Sequence, residues 1–343
     1  AAVVHHLDRA SRSTLEKIEV RYYIGYVCVP NYLLMNTVFF RYEQNSIKNV
    51  NSMIWKTWCE FSNDFRPTID NYRSVRVGEV LQLFDLIDNS KPTIFYVFGF
   101  SDDPDSQPSK AMINAYLIRG GHNVFIFDWH LISNQLFTYA ARSVPGVGYT
   151  LAKVLNQLVA RGLNTTFIHL VGHSLGAQIC GYAGRFANFP VTRITGLDPA
   201  GPGFYILMRH VGIGDAIFVV IIHTDRGLIG IDLQTGNADF YPNNGVINQP
   251  GCPIRLVKCS HFRSVYYYIE SINSEKSFIG ISCDSNFEFE TGSCSSNPTA
   301  IMGHGTPTTA SGRYYLVTNS DSPYGRGESG TLPQTSLLGI IPI

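Results

Sequence analysis

From Pro92 onward the chain alternates between short runs that are apolar almost throughout and longer stretches in which apolar residues recur every three or four positions. The short runs are Thr93–Phe98, Asn123–Asp128, Phe167–Val171, Thr192–Leu197 and Ala216–Ile222. A continuously apolar strand has both faces buried, so these runs predict the inner strands of a sheet. Ser109–Arg119 and Gly148–Arg161 read as helices, the second with Leu151, Val154, Leu155 and Leu158 on one face. Strand, helix and strand in repetition predict an α/β fold, a mostly parallel central sheet with helices on both faces. The first 90 residues follow another pattern, in which Tyr-, Val- and Phe-rich runs near 20–28 and 37–42 predict antiparallel strands without recognisable chemistry. The tail from about residue 311, with Ser-Asp-Ser-Pro-Tyr-Gly-Arg-Gly at 320–327, is expected to be irregular and peripheral. No repeat, low-complexity tract or shift in composition divides the chain, so residues 1–343 read as a single domain.

Composition narrows the function classes. The 343 residues carry a formal charge of zero and are 45% apolar. There is neither the basic stripe of a nucleic-acid binder nor a polybasic tail for an anionic membrane. No apolar run approaches the roughly 18 residues of a spanning helix, and the N-terminal stretch lacks the regions of a signal peptide. A soluble, mature form is the expectation. None of the seven cysteines stands in a C-x-x-C pair, so neither a zinc site nor a redox motif is suggested. The short spacings Cys252 to Cys259 and Cys283 to Cys294 look like local disulfides formed in an oxidising compartment. Cys28 with Cys59 is a possible third pair, and Cys180 reads as a buried thiol. Asn164-Thr-Thr166 is a glycosylation sequon, consistent with secretion.

One of the apolar runs breaks in a way that carries chemistry. Ile168-His-Leu-Val-Gly-His-Ser-Leu-Gly-Ala-Gln178 passes from strand-forming to helix-forming sequence through Gly172-His-Ser-Leu-Gly176. This is the G-x-S-x-G pattern of a nucleophile elbow, whose glycines permit a close strand-to-helix crossing. A serine hydroxyl attacks only when a base takes its proton, and the base needs a carboxylate to hold its tautomer. Asp198 follows the run ending at Leu197, where Pro199 stops the strand and leaves the carboxylate at its end. His261 stands in Cys259-Ser-His-Phe-Arg263, just ahead of the helical stretch Ser264–Ile272. Taken singly, Asp198 could serve only a turn and His261 only a structural hydrogen bond. Together with Ser174 they fall in the α/β-hydrolase order Ser, Asp, His, each at an element boundary. The oxyanion needs two backbone donors, which the N–H groups of Leu175 and Phe100 would provide.

These segments resemble a known family. Gly172-His-Ser-Leu-Gly-Ala177, Ile194-Thr-Gly-Leu-Asp-Pro-Ala-Gly-Pro202, Ile222-His-Thr-Asp225, Asp239-Phe-Tyr-Pro-Asn-Asn-Gly245, Gln249-Pro-Gly-Cys252 and Cys259-Ser-His261 resemble, in order and spacing, the pancreatic-lipase-like family of secreted lipases and phospholipases A1. The resemblance runs from about Lys91 to Ser271. It implies an α/β-hydrolase fold and hydrolysis of carboxylic esters of lipids, with Ser174, Asp198 and His261 on the catalytic positions. Phe98 stands where the family usually has histidine before the oxyanion Gly-Phe, and Gln178 where it has histidine after Gly-Ala. The Cys252–Cys259 segment, a long lid in the family's triglyceride lipases, holds six residues (253–258), which in this family goes with phospholipase A1 activity. The β-sandwich of pancreatic lipases has no counterpart within 343 residues, so colipase is not implied. Of the acidic residues around the family's calcium loop only Asp215 has a counterpart, so neither metal nor cofactor is expected.

Two readings follow. The first is a secreted lipid esterase most like a phospholipase A1, meeting phospholipid or another lipid ester at a lipid interface. The second is a storage or ligand-carrying protein that keeps the lipase fold without turnover, as insect yolk proteins of this family do. Phe98, Gln178 and the aromatic first third of the chain favour the second; the retained Ser174 favours the first.

Overall fold

The computed structural model describes residues 12–24, 26–28, 65–254 and 257–333. In chain order the strands are β1 (Glu19–Tyr23), β2 (Tyr26–Cys28), β3 (Phe65–Pro67), β4 (Tyr72–Arg76), β5 (Thr93–Val97), β6 (Asn123–Asp128), β7 (Ile168–His173), β8 (Arg193–Leu197), β9 (Phe218–Ile222), β10 (Ala238–Pro242), β11 (Ile279–Ser282), β12 (Thr299–Ile301) and β13 (Gly312–Leu316). The helices are α1 (Gln107–Arg119), α2 (His130–Ser133), α3 (Phe137–Arg161), α4 (Leu175–Phe186), α5 (Val257–Asn273) and α6 (Asn286–Thr291). Eleven strands form one sheet in the order β12-β11-β13-β10-β9-β8-β7-β5-β6-β1-β4, and β2 pairs with β3 apart from it.

The seven strands from β13 to β6 run parallel, while β1, β4, β11 and β12 close the two edges antiparallel. β5, β6, β7 and β9 are buried at every position, as continuous apolar runs require. Their C-terminal ends therefore lie together at one end of the sheet, the end where α/β proteins place their chemistry. Local signals fix the flanking helices. Ser106 caps α1 by accepting the N–H of Ser109, with proline in its first turn, and Gly120 at φ 68° ends it. Within α3, Gly148 faces α4: its Cβ would come 2.9 Å from the Ile179 carbonyl, so the missing side chain sets how closely the two helices pack.

Several expectations need correcting. α3 begins at Phe137 rather than Gly148 and runs through Pro145, because Ala140, Ala141, Val144 and Val147 continue the buried face across the proline. α5 begins at Val257, so His261 lies inside the helix and not ahead of it. The tail is not peripheral either: β13 lies between β10 and β11, with Tyr314 and Leu316 in the core. The antiparallel strands expected near residues 20–28 are β1 and β2, while 37–42 lie outside the described residues, as does Cys59 of the possible Cys28–Cys59 pair. Cys252–Cys259 and Cys283–Cys294 are both disulfides. Cys180 is buried and, among the described residues, unbonded, and burial pushes its thiol pKa up. Among the described residues no helix is long and apolar enough to cross a membrane.

Candidate active site

β7 lies near the middle of the sheet and turns directly into α4 at Ser174, which takes φ 56° and ψ −121°. Few non-glycine residues adopt a positive φ, and this one is held by its surroundings. The Ser174 N–H donates to the Leu197 carbonyl at 3.0 Å, and its carbonyl accepts from Ala200 at 3.2 Å. The glycines around it are closely confined: a Cβ on Gly172 would lie 2.6 Å from the Ala177 Cα, and one on Gly176 would lie 2.5 Å from the Phe98 carbonyl oxygen. Strand β7 and helix α4 can cross here only because both positions lack side chains.

Asp198 leaves the end of the adjacent strand β8 at φ 43° and is wholly buried. One carboxylate oxygen, Oδ1, accepts the N–H groups of Thr224 at 2.9 Å and Asp225 at 3.1 Å. The other, Oδ2, accepts from His261 Nδ1 at 2.6 Å. Both oxygens are thus committed, and among the described residues His261 Nε2 makes no hydrogen bond. His261 is held in turn by its own helix turn, where Ser264 Oγ donates to its carbonyl at 2.9 Å. The ring of His173, the residue before the candidate nucleophile, lies 4.6 Å from that of His261 and 4.6 Å from that of Phe262. Burial, then the nearby His261, holds His173 well below the usual histidine pKa, so it meets His261 as a neutral ring.

The loop after β5 supplies the other wall. A Cβ on Gly99 would lie 2.9 Å from the Ser174 Cβ, which brings the Gly99–Phe100 backbone against the serine. Among the described residues nothing accepts the N–H of Phe100 or that of Leu175, the first residue of α4. The unusual Phe98 is part of this wall's support: its ring stacks on Trp129 at 6.1 Å, and Trp129 Nε1 donates to its carbonyl at 3.0 Å. Further along, the Ser101 N–H donates to the Ser133 carbonyl at 3.0 Å and Ser133 Oγ to the Asp102 carbonyl at 2.9 Å. Gln178 is equally well placed. It donates to the Ala200 carbonyl at 2.7 Å and accepts the Val211 N–H at 2.7 Å, fastening the segment after Asp198 to α4.

Asp215, named for its place near the calcium loop, pairs with Arg185 at 2.6 Å and accepts the Gly212 N–H at 2.8 Å. Its charge is spent inside the protein. Asp198, Asp225 and His261 do come close enough to share an ion, with one ligand atom from each within 4.8 Å of the others. The bonds of Asp198 to His261 and to two backbone N–H groups fit proton handling instead.

The residue that sequence reasoning passed over is Asp225. It lies three residues beyond the end of β9, in Ile222-His-Thr-Asp225, and nothing in that stretch of sequence marks it for a role. It is fully buried, and among the described residues neither of its carboxylate oxygens has a hydrogen-bond partner. Burial, then the negative charge of Asp198, pushes its pKa up to about 7. A carboxyl that is protonated in the folded state and ionised in the unfolded chain loses stability as pH rises. The loss starts above the ordinary carboxylate range and is complete once pH passes about 7. Asp225→Asn is therefore expected to remove a decline in stability between about pH 4 and pH 8, on the order of 4 kcal/mol at most. Urea unfolding of both proteins at pH 4.5 and pH 8 checks this; identical pH dependence would show that Asp225 ionises as it does in water. A second buried His–Asp pair, His223 with Asp239 at 2.8 Å, stands one strand further along, with the Tyr241 ring stacked on His223 at 4.6 Å. Asp239 also accepts the N–H groups of Thr235 and Gly236, which marks it as a fastening for the loop before β10.

The family model described as Lipase matches residues 84–324. Lipase member H of Oryctolagus cuniculus is 35% identical over 224 residues, which cover 62% of this chain and 49% of that protein. Pancreatic triacylglycerol lipase of Cavia porcellus is 31% identical over 251 residues, covering 66% and 54%. Phospholipase A1 of Vespa crabro is 34% identical over 255 residues, covering 68% of this chain and 83% of that protein. The chain spans about half the length of the first two and most of the length of the third.

Proposed function

Because the chain belongs to the Lipase family, we propose that it is a secreted hydrolase of lipid carboxylic esters, most like a phospholipase A1. Ser174 Oγ attacks the ester carbonyl while His261 Nε2 takes its proton. Asp198 holds the imidazole tautomer and stabilises the imidazolium. The negative charge on the carbonyl oxygen falls to the N–H groups of Phe100 and Leu175. His261 then protonates the departing alcohol, leaving the fatty acid on Ser174. Water activated by the same imidazole releases it. The observation that carries this reading is the 2.6 Å bond from His261 to a fully buried Asp198 beside a serine held at φ 56° on a strand-to-helix turn.

Two observations favour phospholipid. The disulfide between Cys252 and Cys259 closes a segment too short to cover an acyl-binding cleft, and the relative of which this chain covers 83% is a phospholipase A1. Secretion is supported by the two disulfides, which persist in oxidising compartments, and by the exposed Asn164 of the sequon.

Incubation with a fluorescent alkylphosphonate is expected to label Ser174, with fatty acid released from phosphatidylcholine about tenfold or more faster than from triolein. The absence of both label and fatty acid, with lipid remaining bound through purification, would transfer the protein to the carrier class. Triolein as the better substrate would remove the phospholipase reading and keep the esterase.

A further inference from the structure

The end of the sheet opposite Ser174 gathers three histidines that are far apart in sequence. His122 stands in the turn before β6, His169 near the start of β7, and His304 in the loop between β12 and β13. The rings of His122 and His304 are 5.4 Å apart, and those of His169 and His304 are 6.3 Å apart. Tyr116 of α1 and Tyr268 of α5, both buried, complete the group. The Tyr116 ring meets His122 at 5.4 Å and His304 at 5.5 Å, and its hydroxyl lies 2.7 Å from that of Tyr268 and 3.2 Å from His304 Nδ1. The other two imidazoles are fastened as well, His122 Nδ1 to the Gly120 carbonyl at 2.7 Å and His169 Nε2 to the Thr195 hydroxyl at 2.8 Å. Among the described residues the three do not converge closely enough to hold a metal ion in common.

The charges that face these rings are mostly of one sign. Arg193, at the start of β8, donates to the carbonyls of Thr306 at 2.9 Å and Gly303 at 3.0 Å. Arg119, at the end of α1, donates to the Ile272 carbonyl and pairs with Glu275, the carboxylate that packs beside Gly305. Burial, then Arg193, holds His169 well below the usual histidine pKa. Burial, then Arg119, lowers that of His304 to about 3. Burial also lowers His122, against the Gly120 carbonyl.

The loop that carries His304 leads into β13, an inner strand between β10 and β11. This loop is tied down at the cluster: the His304 N–H donates to Ser271 Oγ at 2.9 Å, its ring meets Tyr116, and Arg193 grips the carbonyls on either side of it. The hydroxyls of Tyr268 and Tyr116 form a chain that ends on His304 Nδ1, where a neutral imidazole accepts a hydrogen bond and an imidazolium does not. A proton on His169 or His304 also places a third cation beside two guanidinium groups, and the one carboxylate at the border is already paired.

We propose that His122, His169 and His304 form an acid-sensitive latch. At neutral pH the uncharged rings fasten the loop 302–311 to α1, α5 and β8. Mild acid protonates them and releases the loop, and with it the hold on β13, so the folded protein is confined to near-neutral surroundings. The sign follows from linkage. A histidine whose folded pKa lies below its unfolded value of 6.5 contributes stability that is complete above about pH 6.5 and is lost as pH falls towards the folded value. Below about pH 6.5 the folding constant therefore falls by up to about tenfold per pH unit for each such ring.

The test is urea unfolding at pH 7.5 and pH 5 of the unaltered chain and of the double variant His169→Gln, His304→Gln, in which glutamine keeps a polar tip but does not titrate. Between the two pH values the folding constant of the unaltered chain is expected to fall about a thousandfold more than that of the double variant, and about thirtyfold more than that of either single variant. Asp225 and His173 also titrate over this span, but they are present in every protein compared and cancel. The single variants preserve the comparison if the double variant is not recovered folded, and a variant that is less stable by the same factor at both pH values does not imitate the effect. Hydrogen exchange reads the release itself: corrected for intrinsic rates, protection of residues 302–311 is expected to fall at pH 5 ahead of that of β7 in the unaltered chain, and not in the variants. The same pH dependence in all the proteins, or loss of protection in the loop and β7 together, would overturn the latch. Neither measurement involves an ester, so the outcome is independent of the lipid-ester reading.

Discussion

Replacing Ser174 by alanine is expected to lower kcat for phosphatidylcholine by roughly four to six orders of magnitude. The magnitude follows from what remains. Without the hydroxyl, His261 has nothing to deprotonate but water, and its bond to Asp198 no longer serves an acyl transfer. On the proposed mechanism the N–H groups of Phe100 and Leu175 would still face the ester carbonyl, and such donors preserve a residual acceleration of roughly a thousandfold or more over water. Stability should change little. The backbone at Ser174 is set by the Leu197 and Ala200 bonds rather than by the hydroxyl, and alanine meets the same positive φ at similar cost. Fatty acid release measured against the concentration of folded protein separates the two effects. Activity within about a hundredfold of wild type would place the attacking group elsewhere.

The candidate residues Ser174 and Asp198 were legible because each stands where a strand ends, and such an end shows as a Gly or a Pro beside a polar residue; His261 lies inside α5 and was marked only by the nearby Cys259. Asp198 is followed by Pro199, His261 by two positions follows Cys259, and Ser174 lies between Gly172 and Gly176. Asp225 lies three residues past the end of β9, its neighbours Thr224 and Arg226 carry no such mark, and its burial depends on a fold that brings β8 beside β9. Strand legibility divided in the same way. β5 to β9 are continuous apolar runs and could be read, whereas β10 and β13 mix Asp239, Pro242 and Arg313 with tyrosines and take their burial from neighbours distant in sequence. The helix through Pro145 was hidden by the opposite effect: a local breaking signal overridden by a buried face that continues on both sides of it. Phe98 and Gln178, which looked like losses of function, are fitted into the structure by Trp129, Ala200 and Val211. They weigh less against catalysis than their sequence context suggests.

Gly176→Ala is expected to destabilise the protein by about 3 kcal/mol or more, a large effect for one methyl group. The atoms that the new Cβ would meet are the Val97 carbonyl, with its carbon at 2.8 Å, and the Phe98 carbonyl oxygen at 2.5 Å. These are backbone atoms at the end of β5, a strand hydrogen-bonded to β6 on one side and β7 on the other, so they cannot swing aside as a side chain could. Relief requires α4 to move outward or the turn after β5 to move away. The first would disturb the crossing at Gly172, where a Cβ would already lie 2.6 Å from the Ala177 Cα. The second would carry the Phe100 N–H away from Ser174. Activity per folded molecule should therefore fall as well, since a displacement of about 1 Å in a preorganised donor costs on the order of a hundredfold. Gly78→Ala provides the contrast, because nothing lies within 4 Å of a Cβ there and its φ is not positive. It should be neutral or stabilise by about 0.4–1 kcal/mol through the unfolded chain. Urea unfolding of the two variants, with esterase activity corrected for the folded fraction, decides the matter. If Gly176→Ala unfolds at the wild-type midpoint, the strand and helix do not cross as closely as the elbow requires, and Ser174 is not held by the crossing.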